Sequence, residues 1–441
     1  MTTNGLAPPL WRQLQATAAM LQAVQQGQSG TTALDGVPAP LRAGVQALSF
    51  AVLRSLGRAQ ALRKLLAPRT PPAPADALLC TALALLSHPE GAFYDTFTLV
   101  NQSVEAAKKT TVIKSQASFI NACLRRFLRE REALVAEIGH DATARYNHPQ
   151  WWITQLKNDW SAHWQAILAA NDQQAPLTLR VNTRQVSRDD YLLRLREAGL
   201  VAFPVAQSGL TLATAVAVQQ LPGFADGWVS VQDAAAQLAA PLLLSGFKHH
   251  EPLRVLDACA APGGKTAHLL ESENVSVTAL DIDASRCERI HQNLQRLGLT
   301  AQVMAFDAAD LSAWWDGVPF DAVLLDAPCS ASGIVRRHPD IRWLRRQTDI
   351  GQLVAIQSRL LTALWRVVKP GGRLLYCTCS VFKAEGSSQV EAFLAHNIQA
   401  KLLTSPGHLL PGAAAQANSP MDNSSTDHDG FYYALLEKSA A

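Results

Sequence analysis

Apolar positions change their period twice along this chain. Up to about residue 140 they recur at helical spacing, as in Val45, Leu48, Val52, Leu53 and Leu56, and again in Phe119, Ile120, Cys123, Leu124 and Phe127. Breakers at Pro38 and Pro40, Pro68 to Pro74, and Pro89 to Gly91 separate the segments. No strand-like alternation intervenes, so residues 1–142 are predicted to form an all-α bundle. A Trp-rich helix, Trp151 to Trp164, then leads into a mixed pattern. Leu177–Val181 and Gly209–Leu212 read as strands and Arg188–Ala198 as a helix, which makes 143–240 a connector helix plus a small α+β subdomain.

From Leu253 onward strand and helix patterns alternate. Strands are predicted at Arg254–Asp257, Ser276–Asp281, Ala301–Phe306, Asp321–Asp326 and Arg373–Cys377, with a last one at Phe431–Leu436. Helices fit Gly264–Leu270, Ala284–Leu297, Asp349–Val368 and Glu385–His396, and Thr404–Asp429 reads as a loop. This rhythm predicts a doubly wound, Rossmann-like α/β domain over 241–441, so the chain is multidomain.

Composition adds bounds. Of 441 residues, 48% are apolar and 17% charged, which suits a globular chain rather than a disordered one. A formal net charge of +3 does not announce a nucleic-acid binder, so local clusters must carry that argument. The longest apolar run, Leu78 to Leu86, is too short to span a bilayer, and the first ten residues lack the basic-then-apolar order of a secretory signal. Seven cysteines show no disulfide framework, which predicts free thiols in a cytoplasmic protein.

Chemistry concentrates at predicted strand ends, where ligands gather in a parallel sheet. The loop Asp257-Ala-Cys259-Ala260-Ala261-Pro262-Gly263-Gly264-Lys265-Thr266 joins a strand to a helix. Cys259 stands where a phosphate loop needs its first glycine, and no Gly-x-Gly-x-x-Gly is present. S-adenosylmethionine suits the pattern better. The loop would face its amino-acid and sulfonium end, Asp281 the ribose hydroxyls, and Asp307 the adenine amino group. Asp326-Ala-Pro-Cys329-Ser330 and Thr378-Cys379-Ser380 each close an apolar run, bringing a carboxylate and two thiols to the same rim. The bland reading, small buried apolar residues, covers Cys80, Cys123, Cys287 and Cys377. With no Cys-x-x-Cys pair or histidine cluster, no metal site is predicted.

Together, residues 257–266, 326–330 and 378–380 resemble the RNA (cytosine-5) methyltransferase family. The segment Arg336-Arg-His-Pro-Asp-Ile-Arg-Trp-Leu-Arg-Arg346 and a helical region resembling the antitermination-factor NusB fold narrow this to the branch acting on bacterial small-subunit (16S) ribosomal RNA. The resemblance implies Cys379 as the nucleophile, Asp326 as the group serving cytosine N3, and Cys329 as the residue assisting release. It departs at Lys383-Ala384-Glu385-Gly386, where the family usually has Pro-Glu-Glu-Asn and only Glu385 is retained. This predicts different capping of the following helix.

RNA contacts are expected from Arg336, Arg337 and Arg342, which with Arg345 and Arg346 face only Asp340 in that segment, and from Arg180 and Asn182. A solvated, ion-paired helix face is the competing reading of the arginine run, and a plain strand-to-turn role that of Arg180 and Asn182. The resulting expectation is a monomeric enzyme acting on ribosomal RNA. The alternative is an antitermination-type RNA-binding adaptor with an inactive methyltransferase domain.

Overall fold

The computed structural model describes residues 8–87, 94–247, 252–412 and 427–439. The chain divides into two compact units, Met1–Gln173 with Val335–Arg346, and Gln174–Ile334 with Gln347–Ala441.

The first unit is helical among its described residues. Its core helix, Ala73–Leu86, buries every residue from Ala77 to Leu86, as a helix apolar on all sides must. Helix Ala117–Arg129 is amphipathic and turns inward Ile120, Cys123, Leu124 and Phe127, four of the five positions its period marked. The Pro89–Gly91 breaker lies outside the described residues. The single connector helix expected over Trp151–Trp164 is instead two, Gln150–Asp159 and Trp164–Asp172. Both belong to the compact helical unit, which runs on to Gln173. Trp152, Ile153 and Leu156 are buried there.

The second unit holds two sheets. Strands β1 (Thr178–Val181), β2 (Ala202–Val205), β3 (Gly209–Leu212) and β4 (Val229–Val231) form an antiparallel sheet in the order β2-β3-β1-β4. Tyr191 and Leu195 of helix Arg188–Glu197 share a core with Leu179, Val181 and Leu210 of that sheet.

The larger sheet comprises β5 (Leu253–Ala258), β6 (Val275–Asp281), β7 (Gln302–Ala305), β8 (Phe320–Asp326), β9 (Val368–Thr378), β10 (Ala400–Leu409) and β11 (Phe431–Lys438). Their order is β10-β11-β9-β8-β5-β6-β7, where β11 pairs antiparallel with both β10 and β9 and every other pairing is parallel. Strand order therefore reverses between β5 and β8, which opens a crevice outside their carboxyl ends. β10 is the one strand in this sheet that the pattern missed. A register shift between Leu403 and Gly407 breaks its period, and Pro406-Gly407 within it reads as a turn. The predicted loop shrinks accordingly, and residues 413–426 lie outside the described part.

Candidate active site

The loop after β5 is fixed by its neighbours. Cys259 (φ 61°) and Gly263 (φ 93°) take left-handed backbone. A Cβ on Gly263 would meet Ile290 at 3.1 Å, so glycine serves both the turn and the packing of helix Ala284–Leu297. The Ala260 N–H donates to the Leu280 carbonyl (2.8 Å) and the Ala261 N–H to Asp281 Oδ2 (3.1 Å). Arg286 and Asn293 donate to the Ala261 and Pro262 carbonyls at 3.0 and 2.7 Å. Below the loop, Asp257 accepts from the Thr266 hydroxyl (2.6 Å), and burial raises its pKa to about 7.

The two predicted nucleoside acids stand at adjacent strand ends. Asp281 is buried, and besides the Ala261 N–H it accepts from the Asp283 N–H (3.2 Å) and Arg286 (3.3 Å). Asp307 accepts from the Ala309 N–H (3.0 Å) and Arg359 (2.8 Å). Beside them two apolar side chains face solvent, Ile282 (70% exposed) and Phe306 (38%). The Phe306 N–H donates to the Asp281 carbonyl at 3.0 Å, so the two residues stand on neighbouring strand ends. An apolar platform flanked by carboxylates fits a nucleoside. Neither residue was singled out in the sequence, although each adjoins a predicted acid.

Across the switch point, Lys265 Nζ meets Asp326 Oδ2 at 2.6 Å. Burial opposes the ammonium charge most strongly, yet the Asp326 carboxylate together with Cys377 and Cys379 outweighs it and the Lys265 pKa is raised. Asp326 pairs in register with Cys377 on β9, whose thiol lies 3.5 Å from Asp326 Oδ1. Two residues beyond, the Cys379 sulfur lies 3.4 Å from that of Cys329. The hydrogen bond to Cys379, and then burial, push the Cys329 thiol well above its ordinary range. Burial likewise raises Cys377 and Cys259, in keeping with inert thiols. Among the described residues no group of three or more His, Cys, Asp or Glu is arranged to hold a metal ion.

Glu385 emerges only in three dimensions. It is fully buried and accepts from the Ser330 N–H (2.8 Å), the Ser330 and Ser380 hydroxyls (2.5 and 2.6 Å) and Gln357 (3.2 Å). The altered helix start beside it is also resolved. A Cβ on Gly386 would sit 2.4 Å from His408, whose Nε2 accepts the Ser387 N–H at 3.3 Å. Burial, aided by Lys383, lowers the His408 pKa to about 3, so the ring stays neutral and keeps that lone pair.

The expected RNA contacts are largely claimed by protein. Arg336 and Arg342 are buried within the helical unit. Arg342 donates to the Asn147 and Asn171 carbonyls (3.1 and 2.7 Å) and pairs with Asp172, and Arg54 donates to the Arg336 carbonyl at 2.7 Å. Trp343 donates to the Leu53 carbonyl (3.0 Å), and Asp340 accepts the Gly30 N–H (2.8 Å). The segment thus fastens the chain's return to the helices, with Arg337 and Arg345 half-buried and Arg346 exposed. Arg180, also buried, forms a two-pronged pair with Glu271 (2.8 and 2.9 Å) and donates to Gln232 and the Gly264 carbonyl. Asn182 donates to the Gly227 carbonyl (3.1 Å) and accepts the Arg184 N–H (3.2 Å), a strand-to-turn role.

Comparison with known proteins places this geometry in a family. Residues 245–437 match the model for 16S rRNA methyltransferase RsmB/F, and 148–219 match the ferredoxin-like domain of RsmF/B-like methyltransferases. Ribosomal RNA small subunit methyltransferase B of Vibrio cholerae is 42% identical over 438 residues, covering 96% of each chain. That of Pseudomonas syringae pv. tomato is 43% identical over 444 residues, covering 97% of each. The crystal structure of PH0851 shares the fold at a TM-score of 0.76 and 24% identity, over 96% of this chain and 99% of that one. A methyltransferase homolog protein from Pyrococcus horikoshii is 26% identical with a TM-score of 0.56, over 68% of this chain and 98% of its own. This chain belongs to the RsmB/F family of 16S rRNA methyltransferases.

Proposed function

We propose that this protein methylates C5 of a cytosine in 16S ribosomal RNA through a transient bond between Cys379 and C6. The observation that carries the reading is the contact of two thiols at 3.4 Å beside a lysine-held carboxylate at the sheet's switch point. S-adenosylmethionine, the family's cofactor, supplies the methyl group as an electrophilic carbon on a sulfonium. The loop 259–265 would face its amino-acid end, Asp281 and Asp307 its ribose and adenine, and Ile282 and Phe306 the flat face of the base.

Cytosine C5 is too weak a nucleophile to accept that methyl unaided. Addition of the Cys379 thiolate to C6 converts the ring to an enamine and makes C5 reactive. Asp326, anchored by Lys265, stabilises the N3-protonated ring by hydrogen bonding. Once C5 has gained the methyl and lost its proton, the C6–S bond breaks. The Cys329 thiol, held protonated, supports the departing sulfur. The target base must leave its stack to reach this crevice. We place the enzyme in the cytoplasm as a monomer. No helix among the described residues is long and apolar enough to cross a membrane.

The test is transfer of labelled methyl from S-adenosylmethionine to unmodified 16S transcript. Wild type should yield 5-methylcytidine and Cys379→Ala none, whereas Cys329→Ala should accumulate a denaturant-stable RNA adduct. Transfer surviving in Cys379→Ala would overturn the covalent route, and label at another atom would overturn the product.

A further inference from the structure

β8 and β9 are in register only as far as Asp326 and Cys377. Beyond that pair the two thiol-bearing loops no longer share a ladder. Two backbone bonds link them farther on, from the Ala327 N–H to the Cys377 carbonyl and from the Gly333 N–H to the Cys379 carbonyl (both 2.9 Å). Neither is made by Cys329, so its contact with Cys379 needs more than the strand ladder. The residue after each cysteine is a serine, and one carboxylate accepts from both serine hydroxyls, Ser330 at 2.5 Å and Ser380 at 2.6 Å. The same carboxylate takes the Ser330 backbone N–H (2.8 Å), and the Tyr376 hydroxyl holds the Glu385 carbonyl at 2.9 Å.

We propose that Glu385 is a positioning residue for the two-thiol chemistry, its buried carboxylate bridging Ser330 and Ser380 and so holding Cys329 and Cys379 in contact. The inference rests on reading those cysteines as nucleophile and release thiol, and it adds the group that couples them. Four donors converge on a side chain with no solvent exposure, and water cannot replace it without opening the site. Its charge also contributes to keeping Cys329 protonated. Neighbouring Lys383, Ala384 and Gly386 lie within a turn and helix start that His408 caps, so the departures around Glu385 leave the bridge intact.

Oxidation reads thiol contact without RNA or cofactor. Diamide takes two electrons and the two thiol protons from the cysteine pair, forming one S–S bond and the hydrazine. The experiment compares full-length wild type, Glu385→Gln and Glu385→Ala. It measures the rate of Cys329–Cys379 disulfide formation by peptide mass spectrometry, with thermal unfolding and S-adenosylmethionine affinity as controls for the fold. Wild type should form the disulfide readily, Glu385→Ala at least tenfold more slowly, and Glu385→Gln in between, since the amide keeps the length and part of the bridge. In methyl transfer kcat should fall in the same order while KM for RNA holds. Should Glu385→Ala not fold, Glu385→Gln alone decides, and it must be slower than wild type. A folded variant that oxidises at the wild-type rate overturns the positioning role, as does failure of wild type to form this disulfide. Because oxidation needs no substrate, a wrong assignment of the reaction would leave this result standing.

Discussion

Arg180→Ala tests the claim that a buried ion pair, and not RNA binding, occupies this arginine. The pair with Glu271 is two-pronged, at 2.8 and 2.9 Å, with side-chain exposures of 0% and 3%. Removing the guanidinium strands the Glu271 carboxylate out of water, which costs about 3–5 kcal/mol. The individual hydrogen bonds would sum to more, but they share one charge and do not add. For a unit of this size about 2–4 °C of Tm accompanies each kcal/mol, so its calorimetric transition should fall by roughly 6–20 °C. Glu271→Leu should show a comparable loss from the orphaned arginine. The double variant Arg180→Met/Glu271→Leu replaces the pair by apolar groups and should recover most of the deficit. Arg180 also donates to the Gly264 carbonyl at 2.8 Å, so single variants should bind S-adenosylmethionine more weakly. A loss below about 1 kcal/mol, as for an exposed pair, or a double variant as damaged as the two singles combined, would refute the reasoning.

Lys265→Met removes the cation at Asp326 (2.6 Å) and should lower kcat about 100-fold with the fold intact, and calorimetry alongside single-turnover assays checks both. The Asp257 pKa is raised by burial from 3.8 to about 7, so its contribution to stability is complete below about pH 4 and is lost as pH rises through 7. Asp257→Asn, which keeps an acceptor for Thr266, should abolish that decline, worth up to about 4 kcal/mol; parallel pH profiles of the urea midpoint in wild type and variant would count against it. Phe306→Ala removes half the platform and should weaken S-adenosylmethionine binding about tenfold by titration calorimetry, in line with the burial of an aromatic face. Unchanged affinity would move the adenine elsewhere.

Local signals determined much of this protein. Helical period marked the face of Ala117–Arg129 that is buried, and six of the seven strands in the large sheet begin or end within a few residues of their apolar runs. Asp281, Asp307, Asp326, Cys329 and Cys379 all stand at or just beyond strand ends because a βαβ rhythm places them there. Tertiary structure alone decided what the polar residues face. A run of arginines reads the same whether it meets a phosphate or a carbonyl, and only the chain's return to the helical unit turned Arg336 and Arg342 inward. Arg180 found Glu271 across 91 residues, and Glu385 found Ser330 across 55. Periodicity reports the environment of an element along its own length. The partner of a buried charge is set by which distant segment packs against it, and no local pattern in one sequence encodes that.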